Sequence, residues 1–225
     1  MMKRKQTIVA IVIMLAIILI DQWIKIYVKT HFVLRESYEV ASWFYLSFIE
    51  NNGMAYGAEI GSKLLLTLFR IFAVGGVLYY LFRRIRRAEA PWLLVVNLSM
   101  VIGGAIGNIV DCVFYGRWFT NSFGHVAQWA DESVGLMPAG EWLQGRVVDM
   151  FYFPLVRFGW PDWVPQTGEA MNWLGMNFLW PDWLPCSDEP FLFFKPVFNF
   201  ADAAISVGVA VLLLLYAINA HRESK

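Results

Sequence analysis

An all-α integral membrane fold, with four transmembrane helices and both termini in the cytoplasm, is what this chain predicts. Three observations carry that expectation. The 225 residues are 58% hydrophobic and 17% aromatic, against about 45–50% apolar in a soluble domain, and mean hydropathy is +0.51. Four apolar stretches each approach the roughly 20 residues needed to cross a hydrocarbon core. Basic residues cluster at alternate ends of those stretches.

The spans run over Ile8–Val28, Leu64–Phe82, Trp92–Phe114 and Phe198–Ala220. The first begins after Lys3-Arg4-Lys5, as a secretory signal peptide would. It ends in Asp21-Gln22-Trp23 without a small-residue cleavage site, so it reads as an uncleaved span. Arg83, Arg84, Arg86 and Arg87 lie between the second and third spans, and His221, Arg222 and Lys225 follow the fourth. The positive-inside rule puts all three basic clusters in the cytoplasm. Lys29–Lys63 and Tyr115–Val197 then face outward, and the whole chain, 1–225, reads as a single membrane-embedded domain.

Charge and cysteine usage exclude other classes. There are 18 basic and 18 acidic residues and a formal net charge of zero, without the basic stripe that nucleic acid requires. His31, His125 and His221 are scattered, and Cys112 and Cys186 have no matching histidine cluster, so no metal site is expected. Cys112 is expected near a helix end and Cys186 in an aqueous loop, with pairing left open because it needs specific geometry.

The outer segments are aromatic. Trp43–Ile49 has the aromatic and β-branched character of a strand. The second outer segment holds Trp160-Pro161-Asp162-Trp163 and its near copy Trp180-Pro181-Asp182-Trp183. Tryptophan favours the headgroup layer, so this segment either rests on the outer leaflet or is an aromatic-packed loop.

Polar residues within or beside apolar spans are costly and so informative. Asp21 and Lys25 are four apart on one helix face, the spacing of a self-neutralising pair. An interfacial salt bridge anchoring the first span is the plainer role. Asn51-Asn52-Gly53 opens a turn-forming cluster, in which Asn51 serves either a hairpin or peptide binding. Gly103 and Gly107 form a small-residue stripe that admits a second helix. Asn108 and Asp111 share a face of the third span, and Asn199 and Asp202 share a face at the start of the fourth. Asp149 lies in the apolar outer run Val147–Phe153, at the depth of Asp202. Brought together, two such carboxylates share a proton and form an acid/base pair. The alternative is that Asp202 caps its helix and Asp149 is a loop residue.

The order of these phrases is more specific than any one of them. Asp21-Gln22-x-x-Lys25, Asn51-x-Gly53-x-Ala55-Tyr56-Gly57, Gly103-Gly104-Ala105-x-Gly107-Asn108-x-x-Asp111, Val148-Asp149 and Phe198-Asn199-x-Ala201-Asp202 resemble, in sequence, the lipoprotein (type II) signal peptidases. That resemblance implies a bacterial inner-membrane aspartic endopeptidase with its active site facing the periplasm or exterior. It implies cleavage of diacylglyceryl-modified prolipoproteins before the lipidated cysteine, through water activated by Asp149 and Asp202. Asp21, Lys25, Asn51, Gly53, Asn108, Asp111 and Asn199 fall at the family's substrate-binding or site-supporting positions. The family fold adds an extracytoplasmic β-sheet cradle. No metal or organic cofactor is implied, and the expected partners are the prolipoprotein and membrane lipids, with the enzyme a monomer.

The chain departs from the family pattern in places. The family usually has an arginine directly after the aspartate of Gly-Asn-x-x-Asp, where this chain has Cys112. Either Arg117 or Arg146 supplies that charge from the loop, or the role is absent. Arg117–Gln144 and Leu155–Lys195 are longer than usual. A proton-coupled transporter using Asp111 or Asp202 is the rival class. Such a protein is expected to carry a midplane carboxylate and duplicated halves, whereas these acids gather towards one face.

Overall fold

The computed structural model describes residues 2–52, 63–154, 156–158, 170–173, 176–179, 191–193 and 196–223. Its frame is four helices: α1 (Met2–His31), α2 (Lys63–Arg87), α3 (Trp92–Trp118) and α4 (Phe200–Glu223). All four are long and apolar enough to cross a membrane. All four outrun the apolar stretches at one end or both, because their charged ends stay helical. α1 carries Lys3, Arg4 and Lys5 within its first turns, and α2 carries its arginine run to Arg87. α3 continues past Phe114 to Trp118, where the Phe119 amide donates to the Tyr115 carbonyl. α4 starts at Phe200 rather than Phe198, because Val197 and Phe198 are taken into a sheet.

The strand-like run is real. Strands β1 (Ser37–Ala41), β2 (Phe44–Asn51), β3 (Val147–Tyr152) and β8 (Val197–Phe198) form an antiparallel sheet in the order β1-β2-β3-β8. Between β3 and β8 the chain makes two separate ribbons, β4 (Val156–Phe158) with β7 (Phe191–Phe193) and β5 (Ala170–Trp173) with β6 (Met176–Leu179). The Trp-Pro-Asp-Trp phrases, Gly53 and Cys186 lie outside the described residues. On the sheet, Phe44 and Phe153 stack with ring centres 4.8 Å apart, and Phe153 stacks on Phe198 at 5.6 Å.

α3 is the central helix, with α1, α2 and α4 packed around it. At one end Ala10, Met14, Leu81, Ile85, Val95 and Ile102 form an apolar cluster. The Gln6 side chain donates to the Ala90 carbonyl there, at 2.7 Å, fixing the start of α1 beside the α2–α3 turn. At the other end Val28, Phe48, Tyr115, Phe119, Val148 and Met150 join the helices to the underside of the sheet. The buried Asp21, Lys25 and Asp111 lie between these clusters. Large apolar side chains on the outer faces, such as Phe72, Leu213 and Tyr216, are exposed, as lipid-facing residues must be.

The glycine stripe on α3 sets the helix spacing. A Cβ at Gly103 would lie 3.0 Å from the Met14 Cα, and one at Gly104 would lie 2.4 Å from the Ala201 carbonyl oxygen. A Cβ at Gly107 would meet the Asp21 carboxylate at 2.8 Å. Backbone-to-backbone approach of this kind is how membrane helices gain packing without a hydrophobic drive. Gly104→Val is therefore expected to push α4 off α3 and destabilise the protein by about 1–3 kcal/mol. Thermal unfolding in detergent checks this, and a parent-like melting temperature would contradict it.

Candidate active site

Strand alternation aims Asp149. Along β3, Val148 and Met150 point into the apolar cluster beneath the sheet, so Val147 and Asp149 face the opposite way. Asp149 is thus a mid-strand residue, paired in register with Ile49, and not part of a loop. Asn51 pairs with Val147 and is the diagonal neighbour of Asp149 on the same face. Its side-chain amide donates to Asp149 Oδ2 at 3.3 Å.

Asp202 comes from the first turn of α4 and has two tasks. The Asp202 amide donates to Asn199 Oδ1 at 2.8 Å, while the Asn199 amide donates to Asp202 Oδ2 at 3.4 Å. This reciprocal pairing is a capping box, so the helix-cap expectation holds. Asp202 Oδ1, however, accepts from Asn108 Nδ2 at 2.8 Å and faces a cavity. Asn199 Nδ2 donates to Asp149 Oδ1 at 2.7 Å. The residue that caps α4 thereby ties the two aspartates together. Both line one cavity of about 310 Å³, with Asn51, Asn108 and Arg70 and with apolar side chains such as Phe69 and Ile205.

Beneath this pair lies an ionic core. Lys25 Nζ sits 2.8 Å from Asp21 Oδ2 and 2.8 Å from Asp111 Oδ2, with all three side chains fully buried. It also donates to Asn108 Oδ1 at 2.7 Å. The pair expected at the membrane interface is therefore buried inside the bundle, where an unpaired ion is far more costly. Its remaining hydrogen bonds reach three other elements. Asp21 Oδ1 accepts the Ala201 amide of α4 at 2.9 Å, and Asp111 Oδ2 accepts the Val148 amide of β3 at 3.2 Å. Gln22 bridges α1 to Asp111 Oδ1 at 2.8 Å and accepts from the Tyr115 hydroxyl at 3.0 Å.

Residues 13–218 match the signal peptidase (SPase) II family. The chain belongs to the signal peptidase II family. It is 45% identical to the lipoprotein signal peptidase of Porphyromonas gingivalis over 94% of this chain and 83% of that protein. It is 30% identical to that of Amoebophilus asiaticus over 90% of this chain and 75% of the relative. Its fold matches a bacterial membrane enzyme solved by the in meso method at 2.3 Å, with a TM-score of 0.59, 19% identity, and coverage of 96% and 91% of the two chains. With four helices of spanning length, this signal peptidase II relative is a multi-pass bacterial inner-membrane peptidase.

Within the family pattern, the arginine question resolves differently from expectation. Arg117 is occupied on the surface by Glu132 at 3.1 Å. Arg146 Nη1 bonds Glu50 Oε2 at 3.2 Å. The guanidinium beside Cys112 is that of Arg70 on α2, whose Nη1 lies 3.4 Å from the thiol sulfur. A second cluster was also not anticipated. Lys29 pairs with Glu50, and Ser122 Oγ donates to the same carboxylate at 2.8 Å. Burial alone would raise the Glu50 pKa, but Lys29, Ser122 and Arg146 together hold it below the usual carboxylate range. The signal for this cluster was weak, because Lys29 reads as an ordinary basic residue at a helix end.

Asp149 is shifted the other way. Burial, then the charge of Asp202, push its carboxyl up to about 7, against the amides of Asn51 and Asn199 that favour ionisation. In the unfolded chain the carboxyl loses its proton near pH ~3.9. Between that value and about 7 the folded protein binds more protons than the unfolded one, so this group lowers stability as pH rises. The loss is absent in acid and complete above neutrality. Asp149→Asn, whose amide oxygen can still accept from Asn199, is expected to melt higher than the parent at pH 8, with the difference shrinking towards pH ~4. Melting curves across that range check the trend, and a pH-independent difference would contradict it. Lys25→Met leaves Asp21 and Asp111 buried without their cation and is expected to cost about 3–5 kcal/mol. Denaturation in detergent measures this, and a loss below ~1 kcal/mol would be too small for a buried pair.

Proposed function

We propose that this chain is an aspartic endopeptidase that removes signal peptides from lipid-modified prolipoproteins, cutting before the diacylglyceryl cysteine. The observation that carries the reading is the juxtaposition of Asp149 and Asp202. They come from a strand and a helix, are tied by Asn199, and face one largely apolar cavity. Family membership and the names of the curated relatives supply the substrate class.

The chemistry follows from the unequal surroundings of the two acids. Asp149, whose pKa is pushed up to about 7, supplies the carboxylic acid, and Asp202 serves as the base. A water between them gives a proton to Asp202 as its oxygen attacks the scissile carbonyl carbon. Asp149 donates its proton to the carbonyl oxygen, giving a neutral tetrahedral diol. As the C–N bond breaks, the proton held by Asp202 passes to the departing nitrogen, and the diol returns a proton to Asp149. The signal peptide leaves as an acid and the lipidated cysteine gains a free amine. Asn108, Asn51 and Asn199 fix the orientations of the two aspartates without adding a competing charge.

The basic ends of the chain support the active-site side. Lys3, Arg4 and Lys5 begin α1, and Arg83 to Arg87 end α2. Gln6 and Ala90 hold those ends together, opposite the sheet. By the positive-inside rule that end is cytoplasmic, which puts the aspartates at the outer surface. A lipid-anchored substrate presents its scissile bond at that depth. Monomeric action on lipid-borne substrate belongs to the same proposal.

Asp149→Asn and Asp202→Asn are each expected to lower cleavage of a diacylglyceryl prolipoprotein by at least ~100-fold, since each removes one partner of a proton-transfer pair. The gel shift from precursor to mature form reads this directly. Retained processing by both variants would overturn the aspartic mechanism.

A further inference from the structure

We infer that Glu50 is a positioning residue for the proposed cleavage, whose carboxylate pins the last residues of β2 and so holds the Asn51 amide on Asp149. The inference rests on the proposed peptidase reading and extends it to a side chain on the far face of the sheet from the cavity. Glu50 pairs in register with Val148, which points into the apolar cluster beneath the sheet. The next residue, Asn51, lines the cavity with Asp149. A carboxylate on the inner face is costly unless it is paired, and this one is gripped from three directions. Lys29 reaches it from α1, and Ser122 Oγ donates to Oε1 at 2.8 Å from the loop after α3. Arg146, the residue before β3, bonds Oε2 through Nη1 at 3.2 Å.

The pairing of β2 with β3 shows why a pin is needed. The register is irregular between Leu46 and Ile49, where Ser47 and Phe48 of β2 stand against Met150 alone. A bulge of this kind interrupts the ladder. Beyond it only three pairs remain: Ile49 with Asp149, Glu50 with Val148 and Asn51 with Val147. A slip of one residue there would turn Asn51 to the inner face. A smaller slide also matters, because the Asn51 amide meets Asp149 Oδ2 at 3.3 Å, at the long end of a hydrogen bond. Glu50 opposes both movements, since it is bound to α1 by Lys29 and to the head of β3 by Arg146. Lys29 stands one helical turn beyond Lys25, whose partner Asp111 accepts the Val148 amide. Successive turns of α1 thus anchor the two strands, Lys25 through Asp111 for β3 and Lys29 through Glu50 for β2.

A quenched fluorescent peptide with a diacylglyceryl cysteine, cleaved by the full-length enzyme in micelles, tests this. Glu50→Ala is expected to lower kcat by about 10- to 100-fold, the scale of a small misplacement at a reacting centre. KM should stay near that of the parent, because Glu50 faces away from the cavity. Asn51→Ala should lower kcat comparably. The double variant should be no slower than Asn51→Ala alone, since both changes act on one contact. A parent-like kcat in Glu50→Ala, a rise in KM alone, or a double variant slower than Asn51→Ala would each overturn the inference. If Glu50→Ala melts early, Glu50→Gln decides. It keeps the shape and an acceptor for Lys29 and Ser122, but turns an amide N–H towards Arg146. A lowered kcat at an unchanged melting temperature supports the role, and a parent-like kcat opposes it. A parent enzyme that cleaves nothing would instead remove the peptidase reading itself. The placement of Asn51 would then be judged from a crystal structure of Glu50→Ala, where an intact contact between Asn51 and Asp149 would overturn the role given to Glu50.

Discussion

Lys25 carries its charge where no water is available to solvate it, and much of the site follows from how that charge is satisfied. Two carboxylates, Asp21 and Asp111, sit at 2.8 Å from its ammonium. Neither spends all its acceptor capacity there. Asp21 uses its other oxygen on the α4 backbone at Ala201, and Asp111 reaches the β3 backbone at Val148. Lys25 itself continues to Asn108, which holds Asp202. One buried ion thus gives α1, α3, α4 and β3 a single mutual arrangement. A buried pair of this kind gains little net stability over apolar packing. Its value here is registration, since Asp149 lies next in sequence to Val148 and Asp202 next to Ala201.

The same restraint appears in the residues around the aspartates. Asn51, Asn108 and Asn199 are amides, able to orient a carboxylate without forming an ion pair with it. A lysine in the place of Asn199 would favour an ionised Asp149. Asn199 also completes the α4 cap, so its geometry is fixed twice over. Asp149 is left buried beside a second acid, a strained choice that Lys25, the helix packing and the sheet together sustain. Functional sites commonly hold groups that would be more stable elsewhere.

The spans and the strand at Trp43–Ile49 were readable in the sequence because periodicity and composition are local signals. The ordered polar phrases were readable because each keeps its own spacing along the chain. What escaped was tertiary. Asp149 read as a loop residue because β3 is six residues long and acquires its identity only by pairing with β2 and β8. The start of α4 moved by two residues for the same reason. Asp21 and Lys25 were recognisable as a pair, but not as part of a triad whose third member is Asp111. Arg70 could not be matched to Cys112, 42 residues away on another helix. Arg117 and Arg146 were nearer to the aspartates in sequence, yet each is engaged with a glutamate.

The two walls of the cavity are held in unlike ways, and this bears on how a membrane-embedded substrate can be accommodated. The wall bearing Asp149 and Asp202 is locked by ions, a sheet and glycine-mediated contacts between α3 and α4. The wall formed by α2 has few fully buried residues: Thr67 near its N-terminal end, and Leu81 and Ile85 near the other. Thr67 Oγ1 donates to the Leu143 carbonyl at 3.0 Å and hangs the helix from the loop before β3. Between those attachments its faces are largely exposed. On the proposed mechanism, precise placement is needed where protons move, and tolerance is needed where the peptide passes. Burying the charges on one side and leaving the other lightly packed meets both demands within a single small bundle.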